Sequence, residues 1–180
     1  MRTLIAPSFL LTLAVAGCAP EASTTARADV PALTRAAVAP ASRPLTGRCE
    51  TSFDPPPFPL PPVLRQVDTG TCQLSHLGRA TIYSVQDIQL ATGTQVSVEL
   101  TFTAANGDVL RATNVGTSAP GGPGVTFQGT TSFVGGTGRF ANATGEARIA
   151  GTANFVNNTA EFTVVDGWIA YDAAARSQQP

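Results

Sequence analysis

The chain has 180 residues, 43% of them hydrophobic and only 13% charged, with a formal net charge of −1. That length suits one domain with a tail, and the charged share is about half of the roughly 25% usual for globular proteins. With every basic residue an Arg and so little net charge, no positive field is available and nucleic-acid binding is excluded.

Residues 1–17 read as a signal peptide. Arg2 supplies a short positive start, and Leu4 to Ala16 is an apolar run well below the roughly 20 residues needed to span a bilayer. It ends in Val15-Ala16-Gly17-Cys18, which is similar to a bacterial lipobox: an aliphatic residue, two small residues that fit a narrow peptidase site, then Cys. The similarity implies lipidation at Cys18, which becomes the mature N-terminus. More than one acyl chain gives a stable anchor. Ala19 after the Cys, in place of Asp, favours outer-membrane sorting. The expected location is therefore the bacterial cell envelope, lipid-anchored, at the outer membrane facing the periplasm or the cell surface. Residues 18–46, rich in Ala, Pro, Ser, Thr and Arg, are too poor in large apolar side chains to offset chain entropy, which predicts a disordered tether.

Cys49 and Cys72 remain. In an exported chain two leftover cysteines most simply form a disulfide. Without a CxxC spacing and with one histidine in the chain, no metal site is expected. Between them, Asp54-Pro-Pro-Pro-Phe-Pro-Leu-Pro-Pro62 holds six prolines and precludes helix or central strand. It is either a docking peptide or, preferred, a stiff loop with Phe58 and Leu60 packed on the domain.

From Gly70 the chain reads strand, turn, strand. Leu77–Gln89 is a strand pair or one long bent strand, and Ala91–Thr94 a turn. Gln95–Thr103 alternates, with Val96, Val98, Leu100 and Phe102 on one face against Ser97, Glu99 and two threonines. Ala104-Ala-Asn-Gly-Asp108 is a hairpin turn, since Asn-Gly readily takes positive φ, and Val109–Val115 is the return strand. Ala119–Gly124 is a loop and Val125–Val134 a strand. Glu146–Phe155 alternates Ala147, Ile149, Ala153 and Phe155 against Glu146, Arg148 and Asn154. Ala160–Val165 and Trp168–Tyr171 close the domain, with a bend or bulge at Asp166-Gly167. Short strands with turns every 8–12 residues predict an all-β closed antiparallel barrel of about eight strands over residues 47–172, followed by a disordered tail, 173–180. Such a barrel is just wide enough for side chains or one small ligand.

The segment Gly135-Gly-Thr-Gly-Arg-Phe-Ala-Asn-Ala-Thr-Gly145 resembles the GGTG(R/K)F signature of the allene oxide cyclase and dirigent barrels. Ser75-His-Leu-Gly-Arg79 and Phe102-Thr-Ala-Ala-Asn-Gly-Asp108 resemble pieces of exported bacterial proteins with that barrel. The resemblance covers roughly residues 70–170 and implies a calycin-like fold more than a reaction. Its structural signature residues here are Gly135, Gly136, Gly138, Arg139, Phe140 and Gly145. Phe140 is placed to plug the barrel, and the glycines allow a sharp corner and close backbone approach.

No motif assigns a catalytic residue, a metal or a cofactor. His76, the lone histidine, lacks a nucleophile motif beside it and reads as a structural residue bonding locally. Tyr83, Trp168 and Tyr171 are candidates, with His76, for a pocket, and are as easily core. Glu99, Glu146 and Arg148 read as solvated charges, and the two Asn-X-Thr sites at Asn142 and Asn157 as turns. The expected function is a membrane-anchored envelope lipoprotein, not an enzyme, whose barrel binds a small hydrophobic ligand or an envelope protein. The alternatives are an isomerase or cyclase of the allene oxide cyclase type on a lipid-like substrate, and a purely structural module.

Overall fold

A computed structural model describes residues 41–173. The expected signal peptide, the lipidation expected at Cys18, most of the tether expected over 18–46 and nearly all of the 173–180 tail lie outside the described residues. The structure is all-β: nine antiparallel strands, β1 (Ser42–Pro44), β2 (Gly47–Phe53), β3 (Val63–Leu74), β4 (Gly78–Gln89), β5 (Thr94–Ala104), β6 (Val109–Gly121), β7 (Gly124–Gly136), β8 (Thr144–Asn154) and β9 (Thr159–Ala170). Strands β2 to β9 pair in sequence order, and β9 returns to both β8 and β2. Eight strands thus close into a barrel. Closure gives a chain so poor in charge a way to avoid a long unpaired edge.

β1 is an addition to that barrel. It pairs with β9 through Ser42↔Ala170 to Pro44↔Trp168, and β2 takes over lower on the same β9 edge from Arg48↔Thr163 to Ser52↔Thr159. Between them Leu45 donates its N–H to the Gly167 carbonyl at 2.8 Å and buries its side chain in the core. The barrel therefore takes up the chain from Ser42, earlier than residue 47, and the tether reading does not hold for Ser42–Thr46. Those residues look polar and proline-broken in sequence, but the β9 edge supplies their backbone partners.

The strand count agrees with expectation, while its membership differs. β2 and most of β3 flank the proline run and escaped the sequence pattern. Of the two alternatives for Leu77–Gln89 the single strand is present, as β4, and Ala160–Val165 runs on with Trp168–Ala170 as the single strand β9. The bulge in β9 falls at Val165, where Arg148↔Asp166 is followed by Ile149↔Val164. Ala119–Gly124 is not a loop: β6 and β7 extend to Gly121 and from Gly124, leaving a two-residue connection. The turn at Asn106-Gly107 is as read, with Gly107 accepting φ of 85°.

One end of the barrel is closed by side chains. A 3₁₀ turn at Gly138–Phe140 follows β7 and drops Phe140 into the interior, where it is 0% exposed. Its ring tilts against Tyr171 with centroids 5.1 Å apart, and the Arg139 guanidinium lies 4.6 Å from its centre. Leu110, Ile169, Leu77 and Ala143 complete this floor. The glycines explain the corner. Gly138 has φ of 55°, and a Cβ there would strike the Asp108 carboxylate; a Cβ on Gly136 would strike the Val109 carbonyl oxygen. Arg139 is itself buried and pairs with Asp108 at 3.6 Å. Cys49 and Cys72 face each other across β2 and β3 and form the expected disulfide, both buried.

Candidate functional site

Above the Phe140 floor the barrel is hollow, with a cavity of about 510 Å³. Strand alternation decides what lines it. On β3, every second residue from Leu74 back through Cys72, Asp68, Gln66 and Leu64 turns inward. Strand β4 answers with Ile82, Ser84, Gln86 and Ile88, paired as Asp68↔Ser84, Gln66↔Gln86 and Leu64↔Ile88. The lower wall is aromatic and aliphatic: Phe102, Leu100, Phe133, Phe162 and Val164.

Strand β5 carries a correction. Val85 pairs with Glu99 and Gln86 with Ser97, so β5 holds one extra residue, Val98, at a bulge. A bulge inserts a residue that reverses the facing of everything beyond it. Leu100 and Phe102 face the interior as expected. Val96 and Val98 stand on the outside, 45% and 57% exposed, and Gln95 and Ser97 line the cavity instead. The expected alternation on β8 holds, since Ala147, Ile149, Ala153 and Phe155 all line the cavity.

The interior polar residues are organised around Asp68, which is 5% exposed. Gln66 donates its side-chain amide to Asp68 Oδ1 and Gln86 donates to Oδ2, both at 2.8 Å. On the opposite wall the Asn114 backbone N–H donates to Ser97 Oγ at 2.6 Å, and Thr131 Oγ1 donates to Asn114 Oδ1 at 3.0 Å. Burial pushes the Asp68 carboxyl above its ordinary range, and the two glutamine amides partly pull it back. The folded protein then holds this proton more tightly than the unfolded chain does. Stability consequently falls as pH rises from the ordinary carboxylate value of about 3.9 through the raised one. Asp68→Asn removes that loss, with one glutamine turning its amide to match. A calorimetric Tm series should place the variant a few degrees above the wild type at neutral pH, the two converging below about pH 4.

The open end is bounded by the β4–β5 turn at Leu90–Gly93, the end of β6 at Pro120, and Phe155. The proline loop leaves β2 and enters β3 at this same end, tied by the Leu90 N–H to the Pro62 carbonyl at 3.1 Å. Phe58 and Leu60 do not pack on the domain: Phe58 is 98% exposed and Leu60 is exposed too. The prolines hold the loop off the barrel, so its apolar side chains have no wall to reach. With Leu90, Phe155 and Val156 they leave the rim of the opening apolar and exposed.

None of the four candidate pocket residues lines the cavity. Tyr83 and Trp168 sit on outward-facing positions of β4 and β9 and are exposed. Tyr171 is buried in the floor, between Phe140 and the Arg43 guanidinium, which lies 4.5 Å from its ring centre. His76 occupies the β3–β4 turn with φ of 69°. Its Nε2–H donates to the Pro44 carbonyl at 2.9 Å, which pins β1 to the closed end. It borders a shallow depression beside Arg139 and Asn106, on the far side of the floor from the cavity. Glu99, Glu146 and Arg148 are exposed as expected, and both Asn-X-Thr sites fall at turns. Among the described residues, no three His, Cys, Asp or Glu side chains gather as a metal site would require, and no helix is long and apolar enough to cross a membrane.

No protein-family model matches the chain, and neither the curated proteins nor the solved structures contain a significant match to it.

Proposed function

We propose that this is a lipid-anchored envelope lipoprotein whose barrel receives one small amphipathic molecule through its open end. The observation that carries the reading is the interior itself: a cavity of about 510 Å³ above a plugged floor, apolar below and with hydrogen-bonded polar groups around Asp68 on one wall and Asn114 on the other. Binding sites characteristically combine an apolar enclosure of roughly 300–1,000 Å³ with a few placed polar groups. The exposed apolar rim at Phe58, Leu60 and Phe155 suits capture of a poorly soluble molecule near a lipid surface. The lipobox-like Val15-Ala16-Gly17-Cys18 is the basis for the anchor, and the barrel signature is the basis for kinship with the allene oxide cyclase and dirigent group.

Titration with N-phenyl-1-naphthylamine, an uncharged dye that fluoresces in apolar surroundings, tests the binding reading. One saturable site per chain is expected, lost in Ser84→Phe, whose ring would fill the chamber beside Asp68. Equal dye binding by wild type and Ser84→Phe would place the dye on the outer surface and remove the proposal.

A second reading, an isomerase or cyclase on a lipid-like substrate, draws on the same cluster. A cavity carboxyl whose proton affinity is raised by burial is suited to hold or deliver a proton. It requires turnover that Asp68→Asn abolishes while dye binding persists.

A further inference from the structure

We propose that the chamber is built for a ligand bearing a basic nitrogen on an apolar body, an alkyl amine whose ammonium group is held by Asp68. The inference rests on the reading of the barrel as a binding chamber and specifies the chemistry of its occupant. Among the described residues that line the cavity, Asp68 is the one ionisable side chain; Cys49 is tied up in its disulfide. The charged groups nearest along the same strands, Arg65 and Asp87, pair with each other outside the cavity at 2.8 Å. Arg43 and Arg139 are stacked in the floor around Tyr171, and His76 lies beyond it. Facing Asp68 across the sheet are Phe53 on β2 and Ser84 on β4, neither of which can carry charge.

The cluster is arranged for an ionised carboxylate. Both Asp68 oxygens accept from an amide, one from Gln66 and one from Gln86, and an ionised carboxylate accepts at both oxygens with lone pairs to spare. The two amides hold the carboxylate in place without neutralising it. A buried carboxylate without a cation is costly, and a bound cation offsets that cost. An ammonium group brings three donors and one positive charge to this spot, and the apolar wall with Phe102, Phe127 and Phe162 accommodates the ligand's apolar body. A ligand carboxylate or phosphate would bring a second negative charge into the same enclosure with no counter-charge, which is strongly disfavoured. An alcohol would gain a single hydrogen bond. The cavity therefore discriminates by charge sign as well as by shape, against the fatty acids that an apolar barrel would otherwise suit.

Calorimetric titration of the purified full chain at neutral pH with 1-octylamine, 1-octanol and octanoate tests this, since the three share a chain and differ in the head group. Octylamine is expected to bind roughly ten- to a hundredfold more tightly than octanol, the range of a charge-assisted hydrogen bond, and octanoate more weakly than either. In Asp68→Asn the octylamine-to-octanol ratio should collapse to about one. If octanol matches octylamine in the wild type, or octanoate binds best, the amine assignment is overturned while the chamber reading stands. If none of the three binds and N-phenyl-1-naphthylamine also fails, the chamber reading falls, and the assignment with it.

Discussion

Phe140→Ala should lower the stability of the barrel by about 3–5 kcal/mol, the range for removing a large aromatic from a packed core. Phe140 is wholly buried, and its ring is the centre of the floor, touching Tyr171 and lying under the Arg139 guanidinium. The turn that carries it, Gly138–Phe140, is held by the hydrogen bonds Phe140 N–H to Thr137 and Ala143 N–H to the Phe140 carbonyl. Leu110 and Ile169 beside it belong to paired strands and cannot move in to fill the gap. Truncation would leave a hole and strip the packing that covers the buried Arg139–Asp108 pair. For a domain of this size the loss corresponds to a fall in Tm of about 10–20 °C, readable by circular dichroism. Phe140→Leu, which keeps most of the volume, should cost less than about 1.5 kcal/mol. Equal losses from both variants would mean that the ring does not plug the barrel.

Replacing both Cys49 and Cys72 by Ala should cost about 2–5 kcal/mol, the usual consequence of removing a native disulfide. The bridge closes a loop with a sequence separation of 23, and in the chain-entropy model that constraint alone contributes about 3 kcal/mol. The loop includes the proline run, which makes few contacts of its own; without the bridge, β2 and β3 must be registered by backbone pairing alone. Both cysteines are buried and Cys49 lines the chamber, so a reductant too large to enter the chamber, such as a thioredoxin, reaches the bridge only when the barrel opens. Denaturant unfolding of the double variant should show a lower midpoint, and the wild-type bridge should resist thioredoxin until the unfolding transition begins. Rapid reduction of the folded protein by thioredoxin at low denaturant would contradict the buried placement.

The closed barrel was legible because its later hairpins carry strong local signals: Asn106-Gly107 at a turn, the glycines of the 135–145 corner, and unbroken alternation along β8. The interior was not legible, and the reasons differ by residue. On β5 the sequence alternates without interruption, yet the extra residue at the bulge turns Val96 and Val98 outward and Gln95 and Ser97 inward. Hydrophobic pattern identifies a core only when the inside is solid and apolar, and the upper half of this barrel is neither. Asp68 and Gln66 were overlooked because β3 begins straight after a proline run and reads as a polar stretch. A signal did exist: counting back in twos from Cys72, whose disulfide must lie across a strand pair, places Asp68, Gln66 and Leu64 on one face. The aromatic candidates failed for the opposite reason. Tyr83, Trp168 and Tyr171 are chemically suited to a pocket, but strand parity puts the first two outside, and the Phe140 floor puts the third below the cavity.

The decisive measurement is the position of N-phenyl-1-naphthylamine on the barrel, read from intermolecular nuclear Overhauser effects with isotopically labelled protein. The hollow chamber predicts contacts from the dye rings to Phe102, Phe127 and Phe133 and to the Gln66 and Gln86 side-chain amides. Contacts confined to the outer valines at 96, 98 and 115, with the interior signals unmoved, would contradict it.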